Sequence, residues 1–389
     1  MKEVRESITD FFHLSNNELL TEGIRKAGVS QVPFETKTGL CYNTASYSSS
    51  STVSMKALLL KGKNHIVYGD YPMPKIGPDE VLLRVHSVGI CGTDLHIYHG
   101  GLKVKTPIMG HEFSGVVAAV GSKVKDFEIG NRVVGEHVLT CGKCVYCLRG
   151  QPTLCLKSLT IGMDRPGALA EYLAIPAGLV YKIPGHLTFD EAAMIEPLTI
   201  ALYAVHQAGP LLDKTAVVIG QGPIGLLLDQ VLKAGGATVV GLDVQASRLA
   251  FAKKHRWLDE TINPAKQSPL KAIKKYTADG ADLCFEAVGR EATVELALDL
   301  ARRDGNVYLL GVFEQLSKID LMQVVTKELN IFGSWRCAFS FPEALGLVAK
   351  KKIDLKSLVT HRYAARDGAT AFADADRYAN NRIKTVIYF

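Results

Sequence analysis

Four of the chain's eight cysteines fall in one stretch, TCGKCVYCLRGQPTLC, residues 140–155. Three chemistries suit such crowded thiols: a disulfide staple, an iron-sulfur cradle and a metal clamp. Cys141, Cys144, Cys147 and Cys155 follow C-x2-C-x2-C-x7-C. Iron-sulfur ferredoxins share the opening triplet, but their fourth cysteine comes three residues later with proline after it. Here the gap is seven and Leu156 follows. The amino terminus, MKEVRESITDFFHLSNNELL, lacks the charged-then-apolar order of an export signal, and its acids argue against a mitochondrial presequence. The expected compartment is the reducing cytoplasm, where structural disulfides are disfavoured. Four thiolates on one short lobe suit a tetrahedral structural zinc, which stabilises a loop that buries little apolar surface.

A second set of metal-binding residue types lies apart. Cys91 sits in VGICGTDLHIYHG, and His111 with Glu112 in MGHEFSGVV. Three protein ligands and one open position make a catalytic zinc site. A lone cysteine or histidine is more often a packed core residue, but both lie beside glycine-rich turns. Glu196, in AAMIEPL, is an acid in an apolar stretch and needs a partner. It either serves the metal or its water, or sits at the positive end of a helix begun by Pro197.

VVIGQGPIG places Gly220, Gly222 and Gly225 in G-x-G-x-x-G spacing, with Pro223 and Ile224 between the last two. The motif ends one strand and opens a helix, the context that dinucleotide binding requires. The helix amino end offers free N–H groups to phosphates. Asp243 ends the next strand, eighteen positions past Gly225. A carboxylate there accepts from the ribose hydroxyls and repels a 2′-phosphate, favouring NAD over NADP; the other reading is a cap on a helix beginning near Gln245. Arg248 lies near the adenosine or is an exposed helical arginine.

These residues need elements to hold them. A chain of 389 residues, 47% hydrophobic and 22% charged, is soluble in character and long enough for two domains. Its net charge of +6 is scattered, which speaks against a nucleic-acid partner. No apolar run approaches the roughly 20 residues of a membrane helix. Residues 1–54 end in the serine-rich SYSSSSTVS and read as an extension, disordered or upstream of the working start. Met55 opens a first strand, MKALLLKG, and from Val81 to about Ile183 short apolar strands broken by glycine suggest a small β-barrel. From about residue 198, strand-helix alternation predicts a doubly wound parallel sheet. The last ~50 residues are expected to return to the first domain.

GICGTDLHIYHG, GHEFSGVV, CGKCVYCLRGQPTLC, MIEPL and GQGPIG, in that order, resemble the zinc-dependent medium-chain dehydrogenase/reductase superfamily, over residues 55–389. Within it the chain is similar to sorbitol (L-iditol 2-) and related polyol dehydrogenases. The resemblance implies an α/β protein: a GroES-like β-barrel catalytic domain (55–197 and 336–389) around a Rossmann domain (198–335). It implies catalytic zinc on Cys91, His111 and Glu112, with Glu196 holding the metal-bound water or substrate. Two zinc ions per subunit, NAD, a small polyol substrate and a homo-oligomer, tetramer or dimer, follow from the same likeness. The expected reaction oxidises a secondary alcohol of a polyol or sugar acid to a ketone, with hydride passing to NAD. Thr93 and His96 are candidates for relaying the proton to solvent, and Tyr98 for shaping the substrate cleft. SWRCAFSFPEALGLVAKKKIDLKSLVTHRY resembles the polyol group's carboxyl-terminal signature and places Arg336 near cofactor or substrate. L-threonine 3-dehydrogenase and butanediol-type enzymes are rivals; His137 stands four positions before Cys141, where the threonine enzymes carry a histidine three before. A non-catalytic relative would be expected to lack Cys91, His111 or the Gly220 loop, and all are present.

Overall fold

A computed structural model describes residues 53–337, 340–377 and 381–389. The expectation for residues 1–54 thus falls almost wholly outside the described residues.

Thr215–Ile219 starts a six-stranded sheet whose neighbours are all parallel. In space the strands run Glu260–Ile262, Thr238–Leu242, Thr215–Ile219, Ala281–Glu286, Ala301–Leu309 and Asn330–Gly333. The chain therefore starts in the middle, works outward to one edge, then crosses back to build the other half. Such a reversal leaves a crevice at the carboxyl ends of the strands where the order switches. TAVVI is apolar throughout because both faces of this strand are covered. Ala216 and Val218 face a core that includes Leu226, Leu227 and Phe341, while Val217 and Ile219 face one that includes Val294 and Leu298. Alternation along a strand sends neighbours to opposite faces.

Seven other strands form a mostly antiparallel sheet with its own apolar core, including Val81, Leu83, Phe113, Val117 and Phe372. Glu80–Gly89 is its hub: it pairs antiparallel with Glu112–Val120, Tyr172–Pro176 and Lys384–Tyr388. The chain's last strand thus returns to a sheet begun some 300 residues earlier, whereas the strands between build the parallel sheet. Passage from one sheet to the other is helical. Ile195–Ala208 runs through position 197 and buries Leu198, Ala201, Leu202 and Val205 against the parallel sheet's core. No helix among the described residues is long and apolar enough to cross a membrane.

Candidate active site

The pairing of Glu80–Gly89 with Glu112–Val120 sets Gly89 opposite Glu112. Cys91 follows the end of one strand and His111 precedes the start of the other, so residues twenty apart in sequence meet at one sheet end. Cys91 also caps the helix Gly92–Tyr98, and its N–H donates to Asp94 Oδ2 at 2.9 Å. The other Asp94 oxygen accepts from Gly110 N–H at 3.3 Å. Asp94, fully buried, thus ties both ligand-bearing turns together.

The sulfur of Cys91, an imidazole nitrogen of His111 and a carboxylate oxygen of Glu112 lie within 4.8 Å of one another. Thiolate, imidazole and carboxylate are the donors zinc takes. Asp94 Oδ1 stands 3.6 Å from His111 Nδ1, an ion-pair distance that turns Nε2 toward the other two donors. Burial alone would lower the His111 pKa, yet the charges of Asp94 and Cys91 raise it well above its ordinary value. A thiol, an imidazole and a carboxylate converging at one buried sheet end form a donor set that fits a metal.

Glu112 also forms an ion pair with Lys384, from the strand Lys384–Tyr388 on the far side of Glu80–Gly89. A side chain at Gly89 would forbid this, since a Cβ there would stand 2.2 Å from Glu112 Oε2 and 2.8 Å from Lys384 Cε. Glu196, in the first turn of Ile195–Ala208, is buried and aimed at the same place. Burial pushes its pKa up to about 8; His111 opposes, Glu112 adds. His137 Nδ1 lies 3.2 Å from Glu196 Oε1 without the alignment of a hydrogen bond. Burial, then the charges of His111 and Arg336, push His137 well below its ordinary value, so it is neutral.

These residues line one wall of a cleft of about 630 Å³. The opposite wall carries Gly220, Gly222, Pro223, Ile224, Asp243 and Arg248. Gly220, at φ +95°, makes the turn out of Thr215–Ile219. Gly225 lies beneath the wall, where a Cβ would meet Gly220 O at 1.8 Å; only glycine lets the helix Pro223–Ala234 pack so close. At Gly222 the Cβ direction meets nothing within 4 Å, leaving the open space that a diphosphate against the backbone requires. Asp243 accepts from Gln221 N–H at 2.9 Å and from Gln245 N–H at 2.8 Å, and pairs with Arg248 at 3.5 Å. Asp243 supports the turn into the next helix and also lines the cleft.

The cysteine lobe is a separate construction. One ligand atom from each of Cys141, Cys144, Cys147 and Cys155 lies within 4.8 Å of the others. Cys144 and Cys147 sulfurs are 3.5 Å apart; thiolates about 2.3 Å from one tetrahedral zinc would stand about 3.8 Å apart. Cys155 Sγ accepts from Cys141 N–H and Lys157 N–H. N–H donors from Cys147 and Leu156 bring the Cys144 thiol down to about 6. Leu148, Leu154 and Leu156 are exposed, so the lobe has little apolar surface of its own to hold it. The four cysteines fit a closed metal site.

Residues 77–185 match the family described as alcohol dehydrogenase GroES-like domain, and residues 223–350 match zinc-binding dehydrogenase. Sorbitol dehydrogenase of Bacillus subtilis is 34% identical over 344 residues, covering 86% of this chain and 97% of that protein. D-xylulose reductase A of Aspergillus niger is 36% identical over 346 residues, covering 85% and 96%. A zinc-binding dehydrogenase from Sinorhizobium meliloti, bound to NADP, superimposes with a TM-score of 0.82 at 30% identity, covering 87% of this chain and 100% of that one.

The chain belongs to the zinc-binding alcohol dehydrogenase family. In this dehydrogenase the sequence reading located Cys91, His111, Glu112, Glu196, Thr93, His96 and Arg336 on one cleft. Tyr98 is the exception: its hydroxyl donates to Asn64 O, its ring packs near Phe372, and it is absent from the cleft wall. His96 Nδ1 is hydrogen-bonded to Glu314, which follows the fifth strand of the parallel sheet. Asp94, Lys384 and Glu314 were missed. Asp94 had a signal, an acid three residues past Cys91 that completes a capping box. Lys384 had another, a charge inside the apolar run of RIKTVIYF.

Proposed function

We propose that this dehydrogenase oxidises a secondary alcohol of a polyol or sugar acid to a ketone, with NAD as hydride acceptor. The observation that carries it is the convergence of Cys91, His111 and Glu112 with the Gly220–Gly222 loop on one cleft. In this reading residues 55–197 and 336–389 form the catalytic domain and 198–335 the coenzyme domain. Cys91, His111 and Glu112 would hold a zinc that supplies Lewis acidity to the alcohol oxygen, the Gly220–Gly222 loop would hold the NAD that supplies a hydride acceptor, and the four cysteines of the lobe would hold a second zinc.

The chain's own residues do the rest. Glu196 and neutral His137 stand beside the metal ligands and orient the substrate oxygen. Thr93 and His96, three apart on the helix Gly92–Tyr98, share a face. They carry the alcohol proton outward, where Glu314 holds His96 at the surface. Arg336 donates to Ser158 Oγ at 3.0 Å and borders the substrate end of the cleft. The NADP of the Sinorhizobium neighbour raises the question of coenzyme choice. Here the Asp243 carboxylate follows the strand Thr238–Leu242 on the cleft wall and already pairs with Arg248, and a negative charge there supports NAD over NADP.

The thiolates this chemistry needs are kept in a reducing cytoplasm. Self-association has support in Asn330–Gly333, an edge strand exposed along its length with Ile331 and Phe332 on it and Met322 and Val325 nearby in sequence. NAD reduction across sorbitol, xylitol, galactitol, L-iditol, L-threonine and butanediol tests the reading. A polyol is expected to lead; preference for L-threonine would overturn the substrate class and leave the fold untouched.

A further inference from the structure

Beneath the glycine loop lie two polar side chains that the chemistry above does not use. Gln221, between Gly220 and Gly222, and Asp229, on the helix Pro223–Ala234, are both fully buried. The helix positions around Asp229 are Leu226, Leu227, Leu228, Val231 and Leu232, and an ionised carboxylate among them would be costly. Gln221 Nε2 reaches Asp229 Oδ1 at 3.4 Å and Val218 O at 3.5 Å. The remaining atoms of the pair, Gln221 Oε1 and Asp229 Oδ2, are buried without a hydrogen-bond partner.

If Asp229 were ionised, both leftover atoms would be acceptors and neither could satisfy the other. A proton on Asp229 turns one of them into a donor. Burial acts the same way, driving this carboxyl well above the usual range, with the Gln221 amide offsetting only part. The space is built for the amide: a Cβ on Gly241 would stand 2.8 Å from Gln221 Nε2. Above, the Gln221 N–H donates to Asp243 Oδ2. One residue is therefore pegged from below by Asp229 and grips the ribose-facing acid above.

We propose that Asp229 is a positioning residue for coenzyme binding: as a neutral acid paired with the Gln221 amide, it sets the glycine loop and, through the Gln221 N–H, the orientation of Asp243. This rests on the NAD reading above.

The test uses the full-length enzyme, with NADH binding followed by fluorescence. Asp229→Leu leaves the buried Gln221 amide with only its 3.5 Å contact to Val218 O, and is expected to raise the NADH Kd and the KM for NAD about tenfold. Its kcat at saturating NAD should stay within about twofold, the split expected of a residue that acts only on coenzyme binding. Asp229→Asn donates and accepts as the neutral acid does and should bind NADH within about threefold of the native enzyme. Native enzyme minus Asp229→Asn infrared spectra should show a protonated carboxyl band. An unchanged Kd in Asp229→Leu, or an Asp229→Asn as damaged as Asp229→Leu, overturns the proposal, as does a difference spectrum with carboxylate bands alone. Should Asp229→Leu not fold, Gln221→Ala keeps the backbone N–H and removes the peg; an unchanged NADH Kd there overturns it equally. Native enzyme that binds no NADH would instead sink the coenzyme reading itself.

Discussion

The cysteine lobe gathers its four candidate ligands from residues 141–155, on exposed turns where backbone N–H groups and a one-turn helix, Val145–Leu148, aim the sulfurs. The cleft gathers its three candidates from two strand ends, and surrounds them with buried Asp94, Glu196, His137 and Lys384. In the lobe a bound metal would be the core, because almost nothing apolar stands in for it. In the cleft the protein is the frame and a bound metal would be its tool. A local ligand set makes a clamp; a set gathered across the sheet leaves room for a substrate between its members.

Mutations should separate the two. Cys91→Ala is expected to cut turnover by about a thousandfold or more, since the Lewis acid is lost, while NADH binding and the melting temperature stay near native. Steady-state kinetics beside a binding titration checks this; retained turnover would break the comparison at its stronger end. Cys144→Ser should do the reverse, lowering the melting temperature by about 10 °C or abolishing soluble expression, because the lobe loses its only cross-link. Calorimetry with metal analysis reads it, and an unchanged melting temperature with one zinc missing would mean that the lobe stands without its metal.

A subtler change bears on the cleft's other wall. Asp243→Ser removes the charge that excludes a 2′-phosphate, so the NAD-to-NADP preference in kcat/KM should fall about tenfold or more. Equal preference before and after would remove Asp243 from coenzyme selection. The smallest effect is one of timing. A chelator should abolish activity before it alters the far-ultraviolet or thermal signal, because the cleft opens to solvent and the lobe is closed by four thiolates. Simultaneous loss would show that the two sites share one fate.

The sequence was most legible where a signal was short and carried its own context. The glycine spacing stood between a strand and a helix, and that context alone located the crevice. The cysteine run needed no partner outside itself. Legibility ended where side chains met through register. Nothing in GICGTDLHIYHG says that Tyr98 turns toward Asn64 and Phe372 rather than the cleft. His137 drew notice only for its distance from Cys141, yet the fold sets it beside Glu196. The Lys384 pairing depends on Gly89, nearly 300 residues earlier, having no side chain.

From sequence alone came the chemistry available: thiols at metal spacing, a phosphate-binding turn, an acid for the ribose, and the alternation that builds a parallel sheet. Periodicity and spacing act over a few residues, and such information survives in one dimension. Which acids would be neutral, which lysine would answer Glu112, and which residues would share one cleft were decided by tertiary structure. Burial and strand register bring together groups far apart in the chain, and a charge's free energy depends on those neighbours rather than on its own position.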